Sequence, residues 1–427
     1  MISILQGTVG QGCGCDQPPD QSTLIGIDTA LERLAHHVQA LSETEEVPLA
    51  RAGGRVLAEA VHALTPVPPF DNSAMDGFAI DTNALRGKGP LHLKVTDRIP
   101  AGQVGSTAGS GLSASQIFTG APIPRGANAV VMQEHVRRLN DVIILDAKVA
   151  AGAHIRKAGE DMALGAEVVS KGRRLTPGSI AACAAAGYRS VQVTRRIRVA
   201  LLVTGDEVRG AGHSHQSARI MDVNSPMLAA ALAHPSIHLS AVQTIGDSPA
   251  ALQATLAKLA ETSDLIVTTG GISVGEEDHV KPALAALGGE VVFSGVAMKP
   301  GKPVSLGKLG CSHWLGLPGN PLSAFLTWQL FGTALCRHLS GDSGPGPRRR
   351  HVVLDHPLHH KPGRCELRLA QLVGFDATGR EVVSFEDATH SARVSRLPEM
   401  DGVLLIPSDV DHLPKGALVE FQQFCDG

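Results

Sequence analysis

The sequence predicts a multidomain chain: a central, mainly parallel α/β unit, a helical unit interrupted by a β-rich insertion, and a C-terminal β unit. Three observations carry this. At 427 residues the chain is too long for one ordinary core. Between residues 197 and 340 continuous apolar runs alternate with glycine-bearing turns and helical patterns, as in strands buried on both faces of a parallel sheet. Proline- and glycine-rich stretches then separate this region from others whose periodicity is that of strands.

Residues 1–23, rich in Gly, Gln, Ser and Pro, read as a flexible leader that includes Cys13 and Cys15. From Ile27 to Leu41 the positions Ala30, Leu31, Leu34, Ala35, Val38 and Leu41 recur at helical spacing, with Asp28 as the expected N-cap. Pro66, Pro68 and Pro69 then lead into a turn at Phe70–Gly77, and short alternating stretches such as Leu91–Val95 follow. An Ala-rich helix returns near Gly178–Gly187, so residues 24–64 and 164–196 form the helical unit and 65–163 the insertion. The α/β unit spans 197–342, with buried strands expected at Val199–Val203, Leu265–Val267 and Trp314–Leu317. Its last helix has Asn320 as cap, Pro321 in the first turn and a stripe of Leu322, Phe325, Leu326 and Leu330. A Ser-Gly-Pro-Gly-Pro linker begins the unit 343–427, whose strand-like runs include Val352–Leu354 and Val403–Ile406.

Composition narrows the function classes. With 38 basic and 41 acidic side chains the net charge is -3, which argues against a general nucleic-acid binder. The one dense basic cluster, Arg348–Arg350, reads as a solvated linker edge. No apolar run approaches the ~18 residues of a membrane span. The seven cysteines lack paired spacing, which fits a reducing, cytoplasmic setting better than a disulfide framework or zinc site.

Chemistry is expected where the strands of an open α/β sheet end. Four turns there carry unusual residues: Thr204–Glu207, Gly246–Asp247, Thr269–Asp278 and Pro318–Pro321. Gly270 and Gly271 expose backbone N–H groups ahead of a helix, suited to an oxyanion or to a plain tight turn. Glu207, Asp247 and Asp278 would gather at one sheet edge, where close carboxylates repel unless protonated or bridged by a cation. A hard ion such as Mg²⁺ would relieve this and carry phosphate oxygens; helix-dipole charges are the competing reading. Lys299 and Lys302 flank a stiff Pro-Gly turn, which suits a dianion or simply two solvated lysines. His-Glu-x-x-His and Gly-x-Ser-x-Gly motifs are both missing from the sequence, which disfavours a catalytic zinc and a serine triad.

Eight ordered motifs go further: PPFDNSAMDGFAI (Pro68–Ile80), IFTGAPIPRGANAVVMQE (Ile117–Glu134), AGEDM (Ala158–Met162), LVTGDE (Leu202–Glu207), VNSPML (Val223–Leu228), TTGGISVGEED (Thr268–Asp278), AMKPGKP (Ala297–Pro303) and LPGNP (Leu317–Pro321). From about residue 27 onward the chain resembles molybdopterin molybdenumtransferases, the family that includes the E domain of gephyrin. Gly295 departs from some relatives, which carry a basic residue there.

The resemblance implies a molybdopterin-binding α/β domain, a C-terminal β barrel and an elongated homodimer with its active site at the subunit boundary. It implies insertion of molybdate into adenylylated molybdopterin, dependent on Mg²⁺, with release of AMP. Asp71, Ser73 and Thr119 would come from the inserted domain and face the partner, with Asp71 and Thr119 joining the catalytic set of Glu207, Asp247 and Asp278. Those three carboxylates would hold the metal near the pterin phosphate. Lys299, Lys302, Arg368 and Ser391 would hold molybdate, and Gly270, Gly271, Ser273, Gly275, Pro303, Pro318, Gly319 and Asn320 would line the substrate. Asp161 would shape the domain junction or touch a metal. Other cofactor-synthesis enzymes and recipient molybdoenzymes are the partners implied. A pterin-binding scaffold without turnover and a molybdopterin adenylyltransferase are the alternative readings.

Overall fold

Helix α1 (Ile27–His37) shows how the chain is tied together at its start. Ile27, Ala30 and Leu34, at spacings of three and four, are buried together on one face. That face packs into the core of the α/β sheet. The computed structural model describes residues 24–87, 89–106, 111–206, 208–209 (backbone alone), 220–246, 248–272, 279–346, 349–386 and 390–424. The leader with Cys13 and Cys15 lies outside them. The helix stops short of the expected Leu41, with Val38 already extended and the Leu41 amide donating to the Leu339 carbonyl. Asp28 lies inside the first turn rather than capping it: Gly26 is the N-cap, and Asp28 pairs with Arg349 at 2.8 Å.

The chain then builds a frame from two distant segments. Thr44–Pro48 pairs antiparallel with Ser190–Thr194, and Val61–His62 with Glu167–Val169. Helix α2 (Pro177–Ala185) follows, with the Thr176 side chain accepting from the Ser179 amide. Between these arms the insertion leaves and returns through a neck, where Val67 and Met162 exchange both backbone hydrogen bonds. Beyond the neck lies a six-stranded sheet in the order Ala129–Met132, Gly77–Ile80, Ser113–Ile117, Leu91–Ile99, Val142–Leu145, Arg137–Leu139.

The central sheet runs Ile237–Ile245, Ile197–Thr204, Leu265–Thr269, Ser312–Leu317, Ser305–Leu309, Glu290–Ser294. Its first four strands are mutually parallel, and the last two are antiparallel additions at one edge. Alternate residues feed two cores. Val199, Leu201, Val267 and Leu315 join the core shared with α1, α3 (Asn224–Ala231), α6 (Pro321–Thr327) and α7 (Thr333–Ser340). Ala200, Leu202, Ile266 and Trp314 pack against α4 (Pro249–Thr262) and α5 (Val280–Ala286). The buried Trp314 indole N–H donates to Thr268 Oγ1 at 2.9 Å, so the ring brings no unsatisfied donor into the core. The last helix, expected as one piece, is broken by a π-helical turn at Trp328–Gly332. A Cβ at Gly332 would lie 2.2 Å from the Trp328 ring, so the indole occupies the space a side chain would need.

Five C-terminal strands close into a barrel: Arg349–Leu354, Cys365–Phe375, Glu381–Phe385, Gly402–Ile406 and Leu418–Gln423, each pairing with two others. Arg349 and Arg350 begin the first of them. They are not the solvated edge their sequence suggests: Arg349 pairs with Asp28 and Glu420, and Arg350 with Glu381 at 2.6 Å. At the opposite join, Asp264 is 7% exposed and receives two bonds from Arg195, at 2.6 and 2.9 Å, two from the Arg198 guanidinium, at 2.9 and 3.3 Å, and one from the Arg198 amide at 2.7 Å. Arg195 also reaches Glu43, so this carboxylate ties the frame to the sheet.

Candidate functional site

Because the four central strands are parallel, their carboxyl ends lie at one edge, and each leads into one of the four turns singled out above. The turns pack side by side. A Cβ on Gly246 would lie 2.3 Å from Asp206 Oδ1, and one on Gly270 would lie 2.6 Å from the Thr204 carbonyl oxygen. Gly270 and Gly271 have φ of +89° and +61°, a region that favours glycine. Gly319 closes on Gly270, 3.5 Å from where its own Cβ would stand.

One side chain knits these turns together, and the motif list alone did not single it out. Asn224 at the head of α3 is buried, and its Nδ2 donates to Thr269 Oγ1 at 2.8 Å and to the Gly319 carbonyl at 2.7 Å. Thr269 Oγ1 in turn donates to the Pro318 carbonyl at 3.0 Å. Asn224 Oδ1 is buried without a hydrogen-bond donor among the described residues. Glu207, Asp247, Ser273, Gly275 and Asp278 lie outside the described residues. Among the described residues no group of three or more His, Cys, Asp or Glu side chains gathers in a metal-ligating cluster. What is described at this edge, close-packed glycine turns and a buried oxygen acceptor, is chemistry that suits a hard cation and phosphate oxygens.

The lysine turn sits beside a junction with the barrel. Met298–Lys299 pairs in parallel with the start of Cys365–Phe375, placing Lys299 opposite Glu366. The Cys365 amide donates to the Ala297 carbonyl at 2.9 Å, and the Ala297 amide to the Ile25 carbonyl at 2.7 Å, so the turn is pinned from both sides. Lys299 is half exposed, with Nζ 4.0 Å from Glu366 Oε1. Lys302 is exposed and Pro303 half-buried. Arg368 is buried behind Glu366: its Nε lies 3.2 Å from Glu366 Oε1, and its guanidinium also donates to the His359 carbonyl. Burial pushes the Glu366 carboxyl up, but hydrogen bonds from His360 and Arg368 overcome this and hold it below the usual range.

A second link joins the PGNP turn to the barrel. Asn320 does not cap α6 with its side chain; Nδ2 donates instead to Ser391 Oγ at 3.2 Å. The Leu322 amide donates to the Ser391 carbonyl at 3.1 Å. Thus Lys299 and Arg368 are linked through Glu366, and Asn320 and Ser391 directly, across the boundary with the barrel.

The inserted unit holds its own cluster. Asp71 accepts from Lys157 Nζ at 2.7 Å and from the Ala158 amide at 2.8 Å, and these bonds hold its carboxyl below the usual range. Thr119 donates through both its amide and its hydroxyl, each at 2.8 Å, to Asp76 Oδ1, which lowers that carboxyl likewise. Ser73 is buried, its hydroxyl donating to the Met75 carbonyl at 2.6 Å. Lys157 and Asp76 are the partners that a residue-by-residue reading passed over; the Asp-Gly pair at Asp76–Gly77 is the signal that was present. The Asp161 amide contributes at the neck, donating to the Val67 carbonyl at 3.0 Å.

Comparison with known proteins agrees with this organisation. Residues 25–187 match the family model described as the MoeA N-terminal region (domain I and II), and residues 200–338 match a probable molybdopterin binding domain. The chain is 36% identical to molybdopterin molybdenumtransferase 2 of Mycobacterium tuberculosis over 383 residues, covering 88% of this chain and 93% of that protein. It is 34% identical to the molybdopterin molybdenumtransferase of Haemophilus influenzae over 319 residues, 74% of this chain and 78% of the relative. Among solved structures, the molybdopterin biosynthesis MoeA protein of Pyrococcus horikoshii superposes with a TM-score of 0.80 at 28% identity, covering 94% of this chain and all of that one, 100%.

Proposed function

The chain belongs to the molybdopterin molybdenumtransferase family of molybdenum cofactor biosynthesis, and we propose that it inserts molybdate into adenylylated molybdopterin, releasing AMP in a Mg²⁺-dependent step. The observation that carries this reading is the close packing of the four glycine turns at the carboxyl edge of the parallel sheet, in a unit whose lysine turn is paired to the barrel.

The chemical problem is to bring anions together: molybdate, a phosphoanhydride and the pterin dithiolate. In this reading Lys299 and Lys302 attract molybdate, backed by the buried charge of Arg368, with Ser391 and Pro303 completing that subsite. Gly271, Ser273 and Gly275 would offer backbone N–H groups to the pterin phosphate; Gly270 does not, because its amide donates to the Leu317 carbonyl at 3.2 Å, and it shapes the turn while Pro318, Gly319 and Asn320 form the neighbouring wall. Glu207, Asp247 and Asp278 would hold Mg²⁺, which when bound supplies neutralising charge at the anhydride. Asp71 and Thr119 act across the subunit boundary of a homodimer; Ser73, buried and bonded to the Met75 carbonyl, shapes their loop instead of facing the partner. No helix of the described residues is long and apolar enough to cross a membrane. The free thiols Cys183, Cys311 and Cys336 fit action in the cytoplasm, where cofactor-synthesis enzymes and recipient molybdoenzymes would be its partners.

The test is AMP release from adenylylated molybdopterin by the purified protein with Mg²⁺, with and without molybdate. Molybdate-stimulated release accompanied by metal-loaded cofactor is the expected result. Tight pterin binding with no AMP release under either condition overturns it in favour of a scaffold. Formation rather than cleavage of the adenylate would mark an adenylyltransferase.

A further inference from the structure

Four polar side chains meet where the lysine turn joins the barrel, and one of them touches all the others. Glu366, 3% exposed, accepts from His360 Nδ1 at 2.7 Å and from Arg368 Nε at 3.2 Å, and lies 4.0 Å from Lys299 Nζ. Arg368 and His360 are themselves buried, and His360 Nε2 has no hydrogen-bond partner among the described residues. A carboxylate this deep is costly unless paired, and two buried partners pair it from behind. Their bonds occupy both carboxylate oxygens and fix the plane of the group. Only Lys299, the half-exposed member, lies on its open side, opposite Glu366 in the strand register.

We propose that Glu366 is a positioning residue for the oxyanion subsite: held rigid by Arg368 and His360, it sets the direction of the Lys299 ammonium. This rests on the reading of Lys299 as a molybdate ligand. The contact adds little stability, because an exposed lysine at this distance is well screened. Its effect is on geometry. A lysine on a flexible stem has many rotamers, and a fixed counter-charge 4.0 Å from its ammonium disfavours those that turn away. The barrel thereby acts on a site built mostly by another domain. Glu366 touches no reacting atom in this scheme and acts through Lys299.

The experiment is a double-mutant cycle with Glu366→Gln and Lys299→Ala, read as molybdate KM against kcat in the AMP-release assay. Glu366→Gln is expected to raise the molybdate KM on the order of tenfold, with kcat and the pterin KM little changed. In the Lys299→Ala background the same change is expected to do nothing further. An equal effect in both backgrounds, or an unchanged or lowered molybdate KM, overturns the proposal. Glu366→Asp guards against the loss of a buried charge, since it keeps a negative carboxylate in the cluster while drawing it back from its partners, Lys299 included. It is expected to remain folded, with a single cooperative melting transition, and still to raise the molybdate KM; an unaltered KM in a folded Glu366→Asp protein overturns the proposal too. A wild-type protein that releases no AMP removes the functional reading and this inference with it, whereas an active wild type with additive variants removes only the inference.

Discussion

Replacing Asp264 with Asn tests what holds the frame against the sheet. The carboxylate is 7% exposed and takes two bonds from Arg195, two side-chain bonds from Arg198 and one from the Arg198 amide. Asparagine keeps the shape but turns one acceptor into a donor that faces other donors. Removing one partner of a fully buried ion pair costs about 3–5 kcal/mol. Here Arg195 and Arg198 are 20% and 46% exposed, so water recovers part of the loss, and Arg195 keeps Glu43. The expected destabilisation is therefore about 2–3 kcal/mol. Urea denaturation followed by tryptophan fluorescence reads it, because Trp314 and Trp328 are both buried in the sheet's two cores. The pH dependence adds a second check. Burial raises the Asp264 carboxyl, but bonds from Arg195 and Arg198 outweigh it and hold it well below the usual range. A depressed carboxyl contributes stability that is complete above the unfolded value of about 4 and is lost as pH falls toward the folded one. The gap between wild type and variant should stay constant from about pH 5 to 8 and narrow below about pH 4. A gap under about 1 kcal/mol at neutral pH, or one that widens in acid, refutes the reasoning.

Other outcomes follow from the same geometry. His234 is pushed down to about 4, first by burial and then by the charge of Arg174. Its neutral folded form makes stability fall as pH drops from the unfolded value of about 6.5 toward the folded one, and His234→Gln should flatten that part of a melting-temperature profile. Gly77→Ala would place a Cβ 1.9 Å from the Val131 carbonyl oxygen in the adjoining strand, so the inserted sheet should lose at least about 2 kcal/mol, seen as an early calorimetric transition. Lys299→Ala should raise the molybdate requirement more than it weakens pterin binding; equal losses in the two titrations would contradict the assigned division of labour.

Much of the architecture was legible because it is written in local periodicity. The runs at Val199–Val203, Leu265–Val267 and Trp314–Leu317 have no polar face, and each is a central parallel strand. What escaped was non-local. Arg349 looks like part of a solvated cluster until Asp28, at the far end of the sequence, is folded onto it. Asn320 has the right residue type and position for a cap, yet Ser391 from the barrel takes its side chain. Asp71 and Thr119 could be named from their motifs, whereas their partners Lys157 and Asp76 needed the fold to bring them close. Glu366 carried no signal at all, because an isolated glutamate in a strand-like run is ordinary until its neighbours are known. The carboxylates Glu207, Asp247 and Asp278 rest on the sequence and on the turns around them.

The neck at Val67 and Met162 bears on how such a chain can be assembled and rebuilt. Pairing Thr44–Pro48 with Ser190–Thr194 requires a long loop to be closed, and the entropic cost of closure grows with the length of free chain. Once the insertion has its own sheet and its ends are hydrogen-bonded to each other, the free chain shrinks to the arms 49–66 and 163–189. The insertion thus lowers the entropic barrier to completing the frame that carries it. Adjacent ends also make it a cassette: a short linker from residue 66 to 163 is expected to replace it without moving either arm, leaving a frame that folds without the Asp71 and Thr119 cluster.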